Sequence, residues 1–274
     1  MYLVPIFILL GYGCWLLLMY FLQDRLLFPT HLIPPDTENG RTLPGERIEL
    51  TVPEGTVEAL YLPPPENPDG GPAPLAVFFH GNGELIDPSD PIVVMYAEMG
   101  FAVLLPEYRG YGRSSGEPSE KAVTEDAVRF CDLATARPEV DAGRVVYHGR
   151  SLGGAVAASV ARHRPPHALV LQSTFLSVSR MARRYAAPGF LVRNSFHTDE
   201  VVAALDIPIL IAHGATDRIV PVSHGRKLSR IARRPTCVEY PCGHNDFPGE
   251  ANVADYPRRL REFLEDAGII PETS

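Results

Sequence analysis

Gly149-Arg150-Ser151-Leu152-Gly153 is the stretch that decides how this chain folds. Before it runs a β-rich segment, Arg144 to Tyr147, with Val145 and Val146; after it, Ala155 to Ala161 is a small-residue run suited to a helix. A G-x-S-x-G pattern at a strand-to-helix junction describes a nucleophile elbow, where serine sits on a strained turn with its hydroxyl above the sheet. Side chains two positions either side of so tight a turn would collide, which gives Gly149 and Gly153 a steric reason. The helix that follows aims free N–H groups at the reacting oxygen. On these five residues alone, a Gly-rich loop that merely starts a helix remains an alternative.

The partners of such a serine follow in chain order as acid, then histidine. Ile207-Pro-Ile-Leu-Ile-Ala-His-Gly214 has the pattern of a buried strand, and Asp217 comes just past its end, where an orienting acid must stand. Cys237-Val-Glu-Tyr-Pro241 reads as another strand, and His244 lies on the loop after it, able to reach back to Ser151. Upstream, Leu75-Ala-Val-Phe-Phe79 is a strand that ends in His80-Gly81-Asn82-Gly83. Backbone N–H groups of Asn82 and Leu152 are the expected oxyanion donors. Asp199, Asp206 and Asp246 are rival acids; Asp246 stands too close to His244 in sequence to take the usual orienting place. Four pieces in the right order, each at a strand's C-terminal end, point to a Ser-His-Asp hydrolase.

From about Leu26 to about Leu264 the chain resembles the α/β-hydrolase superfamily. More narrowly, it is similar to the membrane-anchored α/β-hydrolase-domain serine hydrolases of fungi, bacteria and animals, some of them protein depalmitoylases. The motifs are His80-Gly-Asn82, Tyr108-Arg-Gly-Tyr-Gly-Arg-Ser-Ser-Gly116 with Pro118-Ser-Glu120, Gly149-Arg-Ser-Leu-Gly-Gly154, His213-Gly-x-x-Asp217 with Val220-Pro221, and Gly243-His-Asn-Asp246. The resemblance implies Ser151 as nucleophile, Asp217 as acid and His244 as base. Two positions depart from the group: Glu84 stands where small or amide residues are usual, and Glu107-Tyr108 where Asp-Tyr is commoner. Glu84 is placed to change what the pocket accepts.

Length and composition fit one substantial α/β domain: 274 residues, 45% of them hydrophobic. With a net charge of −8 and no basic block, nucleic acid is not an expected partner. Among the basic residues only Lys121 and Lys227 are lysine, a genomic bias rather than a functional one. Met1 to Gln23 carries no charged side chain, and Leu3 to Leu22 is a 20-residue apolar run, about the length that crosses a bilayer. A cleaved signal peptide would want a basic n-region and a small-x-small site; neither occurs here. The expectation is therefore a transmembrane anchor over residues 1–25 and a catalytic domain over residues 26–274. Arg25, Arg41 and Arg47 follow the anchor and no basic residue precedes it, which favours a cytoplasmic domain. Cys237 and Cys242 would be about 16 Å apart if extended, at ~3.3 Å per residue, so a disulfide between them would need a sharp bend at Pro241. No disulfide framework is expected, in keeping with a reducing compartment.

Residues 28–44 read as a tether or opening loop, and residues 63–74, with six prolines and two glycines, as an exposed loop. Strands are predicted over 47–52 and 57–62, as an antiparallel edge hairpin. Further strands are predicted over 75–79, 101–105, 144–147, 168–172, 207–212 and 236–240, with helices over 91–99, 120–136, 152–162, 223–233 and 251–266. The alternation implies a mostly parallel central sheet with helices on both faces. Residues 174–206 form a short cap. Its apolar residues (Phe175, Leu176, Met181, Tyr185, Phe190, Leu191, Phe196) could line an acyl pocket or simply pack on the sheet. Its arginines (Arg180, Arg183, Arg184, Arg193) could be a solvated face or meet anionic lipid.

The remaining histidines lack the paired spacing of a metal site, so neither a metal nor a cofactor is expected. A serine nucleophile excludes haloalkane and epoxide chemistry, which needs a carboxylate. The expected activity is hydrolysis of an acyl ester or thioester, in a small molecule, a lipid or an acylated protein at the membrane. A serine peptidase, or a non-catalytic membrane-bound interaction protein on a hydrolase scaffold, are the alternatives.

Overall fold

The computed structural model describes residues 3–33, 45–65, 71–87 and 90–272. Eight strands form one sheet: β1 (Glu46–Val52), β2 (Gly55–Leu62), β3 (Ala73–Phe79), β4 (Ala102–Pro106), β5 (Val140–Arg150), β6 (Ala168–Gln172), β7 (Pro208–Gly214) and β8 (Arg234–Tyr240). Their spatial order is β1-β2-β4-β3-β5-β6-β7-β8. The β1–β2 hairpin and the β2–β4 pair are antiparallel; every other pair is parallel. Strands covered on both faces must be apolar almost throughout, and β3, β4 and β6 are buried at every position.

The helices are α1 (Leu3–Leu27), α2 (Pro91–Glu98), α3 (Glu120–Thr135), α4 (Leu152–His163), α5 (Val178–Ala182), α6 (Thr198–Ala204), α7 (Ser223–Ile231) and α8 (Asp255–Asp266). Alternating strand residues feed two cores. Val77, Phe79, Tyr147 and Leu169 pack with Phe130 of α3, Val156 of α4, Val202 of α6 and Leu228 of α7. Phe78, Val103, Val146 and Val170 pack with Tyr96 of α2 and Leu260 and Phe263 of α8. The helices after β3 and β5 thus lie on opposite faces, and the loops leaving these neighbouring strands diverge. A crevice opens above their carboxyl ends, the usual place for a site in such a sheet.

Several boundaries differ from expectation. β5 begins at Val140, before Asp141 and Gly143, and its pairing to β3 is irregular between Ala73 and Leu75. α8 begins at Asp255 because a 3-10 turn occupies Glu250–Asn252. α1 continues to Leu27, and Phe28 is no tether: it is buried edge-to-face against Phe196, the ring centroids 6.3 Å apart. Residues 34–44 of the expected opening loop lie outside the described residues. All four cysteines are free.

His148 on β5 is fully buried between Tyr96, Gln172 and Tyr256, and burial holds its imidazole down at about 3. Burial likewise lowers His224 to about 4. Unfolded histidine titrates near ~6.5, so below that pH the unfolded chain takes up protons the native chain refuses. Stability is complete above about pH 6.5 and is lost as pH falls toward 4 and 3, by up to about 1.4 kcal/mol per pH unit for each group. Urea midpoints between pH 7.5 and 4.5 are expected to fall accordingly, and less steeply for His148→Gln. Equal slopes in the two proteins would refute this role for His148.

Candidate active site

Ser151 stands between the last residue of β5 and the first of α4, at φ 54° and ψ −117°. That is a strained conformation for a side chain with a Cβ, and it persists only where the surroundings over-determine it. They do: Ser151 N donates to Gln172 O at 2.8 Å, and its carbonyl accepts from Thr174 Oγ1 at 2.7 Å. A Cβ on Gly149 would lie 2.2 Å from the Gly153 carbonyl oxygen, and one on Gly153 2.0 Å from that of Phe79. Both glycines are required by backbone contact, as the spacing implies.

Ser151 Oγ is 2.9 Å from His244 Nε2, and His244 Nδ1 is 2.6 Å from Asp217 Oδ2. The structure therefore brings the three expected residues into one hydrogen-bonded chain. Asp217 Oδ1 accepts from the N–H groups of Ile219 and Val220, each at 2.8 Å. Burial alone would push this carboxyl up, but hydrogen bonds from His213 and His244, then the Val220 N–H, hold it well below the usual carboxylate range. It is a carboxylate throughout neutral pH, with a fixed orientation. The rival acids are elsewhere: Asp199 pairs with Arg180 at 3.0 Å, Asp206 is exposed, and Asp246 Oδ1 takes the Gly243 N–H at 2.8 Å, bracing the histidine loop.

Asn82 and Leu152 both line the crevice beside Ser151, a cavity of about 580 Å³. The backbone N–H of neither has an acceptor among the described residues. The loop carrying Asn82 is braced from below. Tyr108 Oη donates to His80 O at 2.8 Å and Tyr111 Oη to Asn82 O at 3.0 Å. His80 is buried, stacked on Tyr108, with its ring nitrogens on Glu107 Oε1 and Gly81 O, each at 2.8 Å. Burial disfavours charge on His80, yet the Glu107 carboxylate outweighs it and raises the imidazole. Glu107, set apart in the sequence as a departure, thus supports this loop and also accepts the Tyr108 N–H at 3.0 Å.

Glu84 lines the cavity but folds back. Its Oε2 accepts from Gly81 N at 2.7 Å and from Arg150 at 2.6 Å, and Arg150 also holds Asp90 at 2.6 Å. Asp90 in turn caps α2 through Ile92 N at 2.8 Å. Arg150 therefore ties the serine turn to the loop carrying Asn82, a link the motif notation conceals because it stands at a free position of G-x-S-x-G. A larger cleft of about 1000 Å³ lies beside α3 and contains none of Ser151, Asp217 or His244.

The cap is smaller than expected. It consists of α5 and two 3-10 turns, Arg183–Tyr185 and Gly189–Leu191, whereas α6 belongs to the sheet face. Of the apolar cap residues, Phe175 and Met181 line the cavity. Phe196 is fully buried in the core and Phe190 is 86% exposed, so neither lines it.

This fold and its strained serine define the α/β-hydrolase class. A family described as serine aminopeptidase, S33, matches residues 70–196. The α/β-hydrolase domain-containing protein WAV2 of Arabidopsis thaliana is 32% identical over 215 residues, 70% of each chain. Protein YfhR of Escherichia coli (strain K12) is 29% identical over 230 residues, 81% of each chain. The native structure of esterase Est2 from Thermogutta terrifontis superposes with a TM-score of 0.67 at 19% identity, covering 90% of this chain and 99% of that one. The chain belongs to the α/β-hydrolase superfamily, and its relatives include α/β-hydrolase-domain proteins.

Proposed function

We propose that the protein is a membrane-anchored serine hydrolase that cleaves carboxylic ester or thioester bonds through an acyl-enzyme. The observation that carries this reading is the unbroken chain from Asp217 through His244 to Ser151 Oγ. Ser151 Oγ attacks the acyl carbonyl carbon as His244 Nε2 takes its proton; Asp217 holds Nδ1–H and stabilises the imidazolium. The developing oxyanion accepts hydrogen bonds from the Asn82 and Leu152 N–H groups. The bond to the alcohol or thiol breaks, and His244 returns the proton to that leaving group. Water then repeats the sequence on the acyl-enzyme, releasing the carboxylic acid and restoring Ser151. Each proton is accounted for without a metal or cofactor.

The anchor in this reading is α1, whose span Val4–Leu27 has a mean hydropathy of 2.0 over its apolar window. At ~1.5 Å per residue a helix of that length exceeds the ~30 Å bilayer core. The arginines that follow it favour a catalytic domain on the cytoplasmic side.

The test uses membranes from cells expressing the full chain. After washing with high salt and carbonate they are expected to retain a protein that labels with a fluorophosphonate probe. It should turn over acyl esters and thioesters ahead of peptides. Release into the carbonate supernatant would overturn the anchor. Absence of labelling would make the protein a non-catalytic scaffold, and preferred cleavage of peptides would bring it to the aminopeptidase description of its family.

A further inference from the structure

α1 does not stand clear of the domain. Tyr12 Oη donates to Ala186 O at 2.9 Å and Trp15 Nε1 to Tyr185 O at 2.8 Å. Gln23 Nε2 donates to Leu191 O at 3.2 Å while its Oε1 accepts from Arg193 N at 2.8 Å. Asp24 pairs with Arg193 at 2.6 Å and takes Asn194 Nδ2 at 2.9 Å. From Tyr12 to Asp24, roughly 18 Å of helix at ~1.5 Å per residue, α1 lies along the cap. Yet the two do not close on each other. Between them runs an apolar cavity of about 450 Å³, walled by Trp15, Leu16 and Met19 of α1 and by Ala182, Tyr185 and Leu191 of the cap.

Leu27, Val178 and Met181 line both this cavity and the one at Ser151. The apolar groove therefore adjoins the candidate active site across these three side chains, and one of its two walls is the helix read as the membrane span. We infer that the α1–cap groove is the acyl-chain subsite, holding one hydrocarbon chain whose ester or thioester carbonyl sits at Ser151. This rests on the ester or thioester reading above and specifies its substrate: a long-chain acyl group drawn from the bilayer beside α1. The walls are mostly apolar side chains; the polar ones, Gln23, Asp24 and Asn194, are hydrogen-bonded within the α1–cap contact itself. Glycerolipids and acyl-cysteine proteins present the same chain, so the test carries both.

In detergent micelles the full-length protein is assayed against monoacylglycerols and S-acyl-cysteinyl peptides with chains of two to sixteen carbons. kcat/KM is expected to climb about three- to fourfold per methylene until the groove is filled; the preferred headgroup identifies the source. Ala182→Trp, which fills the groove at a residue remote from Ser151, should cut the dodecanoyl-to-acetyl ratio at least tenfold. A second measurement needs no variant. A fluorophosphonate with a dodecyl chain ending in a diazirine is attached to Ser151, irradiated, and its cross-links mapped by mass spectrometry. Cross-links within residues 15–27 or 178–192 support the inference. Cross-links elsewhere, or a flat chain-length profile with acetyl esters turned over, overturn it and leave the hydrolase reading intact. Failure to label Ser151 or to cleave any ester or thioester overturns the hydrolase reading itself.

Discussion

Ser151→Ala is expected to lower turnover by a factor on the order of 10⁶ and to abolish fluorophosphonate labelling, with the fold unchanged. The substitution removes one oxygen atom and nothing else. The strained turn keeps its Cβ, and the bonds that hold it, from Ser151 N to Gln172 O and from Thr174 Oγ1 to Ser151 O, use only backbone atoms of Ser151. Only His244 Nε2 loses a partner, at a site open to the crevice. Circular dichroism and the thermal midpoint should therefore match the parent protein. Turnover within tenfold of the parent, with no contaminating hydrolase, would remove Ser151 from the role of nucleophile.

Asp217→Asn is expected to reduce kcat on the order of 10⁴-fold with little change in KM. The geometry leaves the amide no good orientation. Oδ2 faces His244 Nδ1 and Oδ1 faces two N–H donors, those of Ile219 and Val220. Turned one way, the amide NH₂ meets Nδ1, drives the proton to Nε2 and leaves the imidazole unable to accept from Ser151. Turned the other way, it sets a donor against two donors. Steady-state kinetics on the purified variant decide the matter, and near-normal kcat would refute Asp217 as the orienting acid.

The elbow, the order of the three loops and seven of the eight strand positions are readable from local pattern, because each depends on neighbours a few residues away. Gly149 and Gly153 announce a turn that admits no Cβ; Ile207 to Gly214 announces a strand buried on both faces; Asp217 and His244 come just past strand ends. β5 is the strand whose extent local pattern conceals, since Asp141 and Gly143 look like turn residues. What could not be read is pairing across long separations. Arg150 meets Glu84 and Asp90, some sixty residues earlier, and Phe28 meets Phe196. No periodicity marks such contacts. The apolar cap residues were ambiguous for the same reason: composition makes Phe190 and Phe196 look like pocket walls, while the chain path sends one to solvent and the other to the core.

The direct passage from α1 into the buried Phe28 has a mechanical meaning. No spacer separates the helix end at Leu27 from the core, and the ion pair of Asp24 with Arg193 clamps the joint from the side. If α1 is the membrane anchor proposed above, the domain is held flush against it rather than hung on a leash, and would not sweep the surface around it or lean across to an opposing membrane. On that reading the enzyme would work in cis, on molecules that diffuse laterally past it in its own leaflet. Its throughput is then set by two-dimensional encounter, and dilution of the same substrate among separate vesicles would starve it.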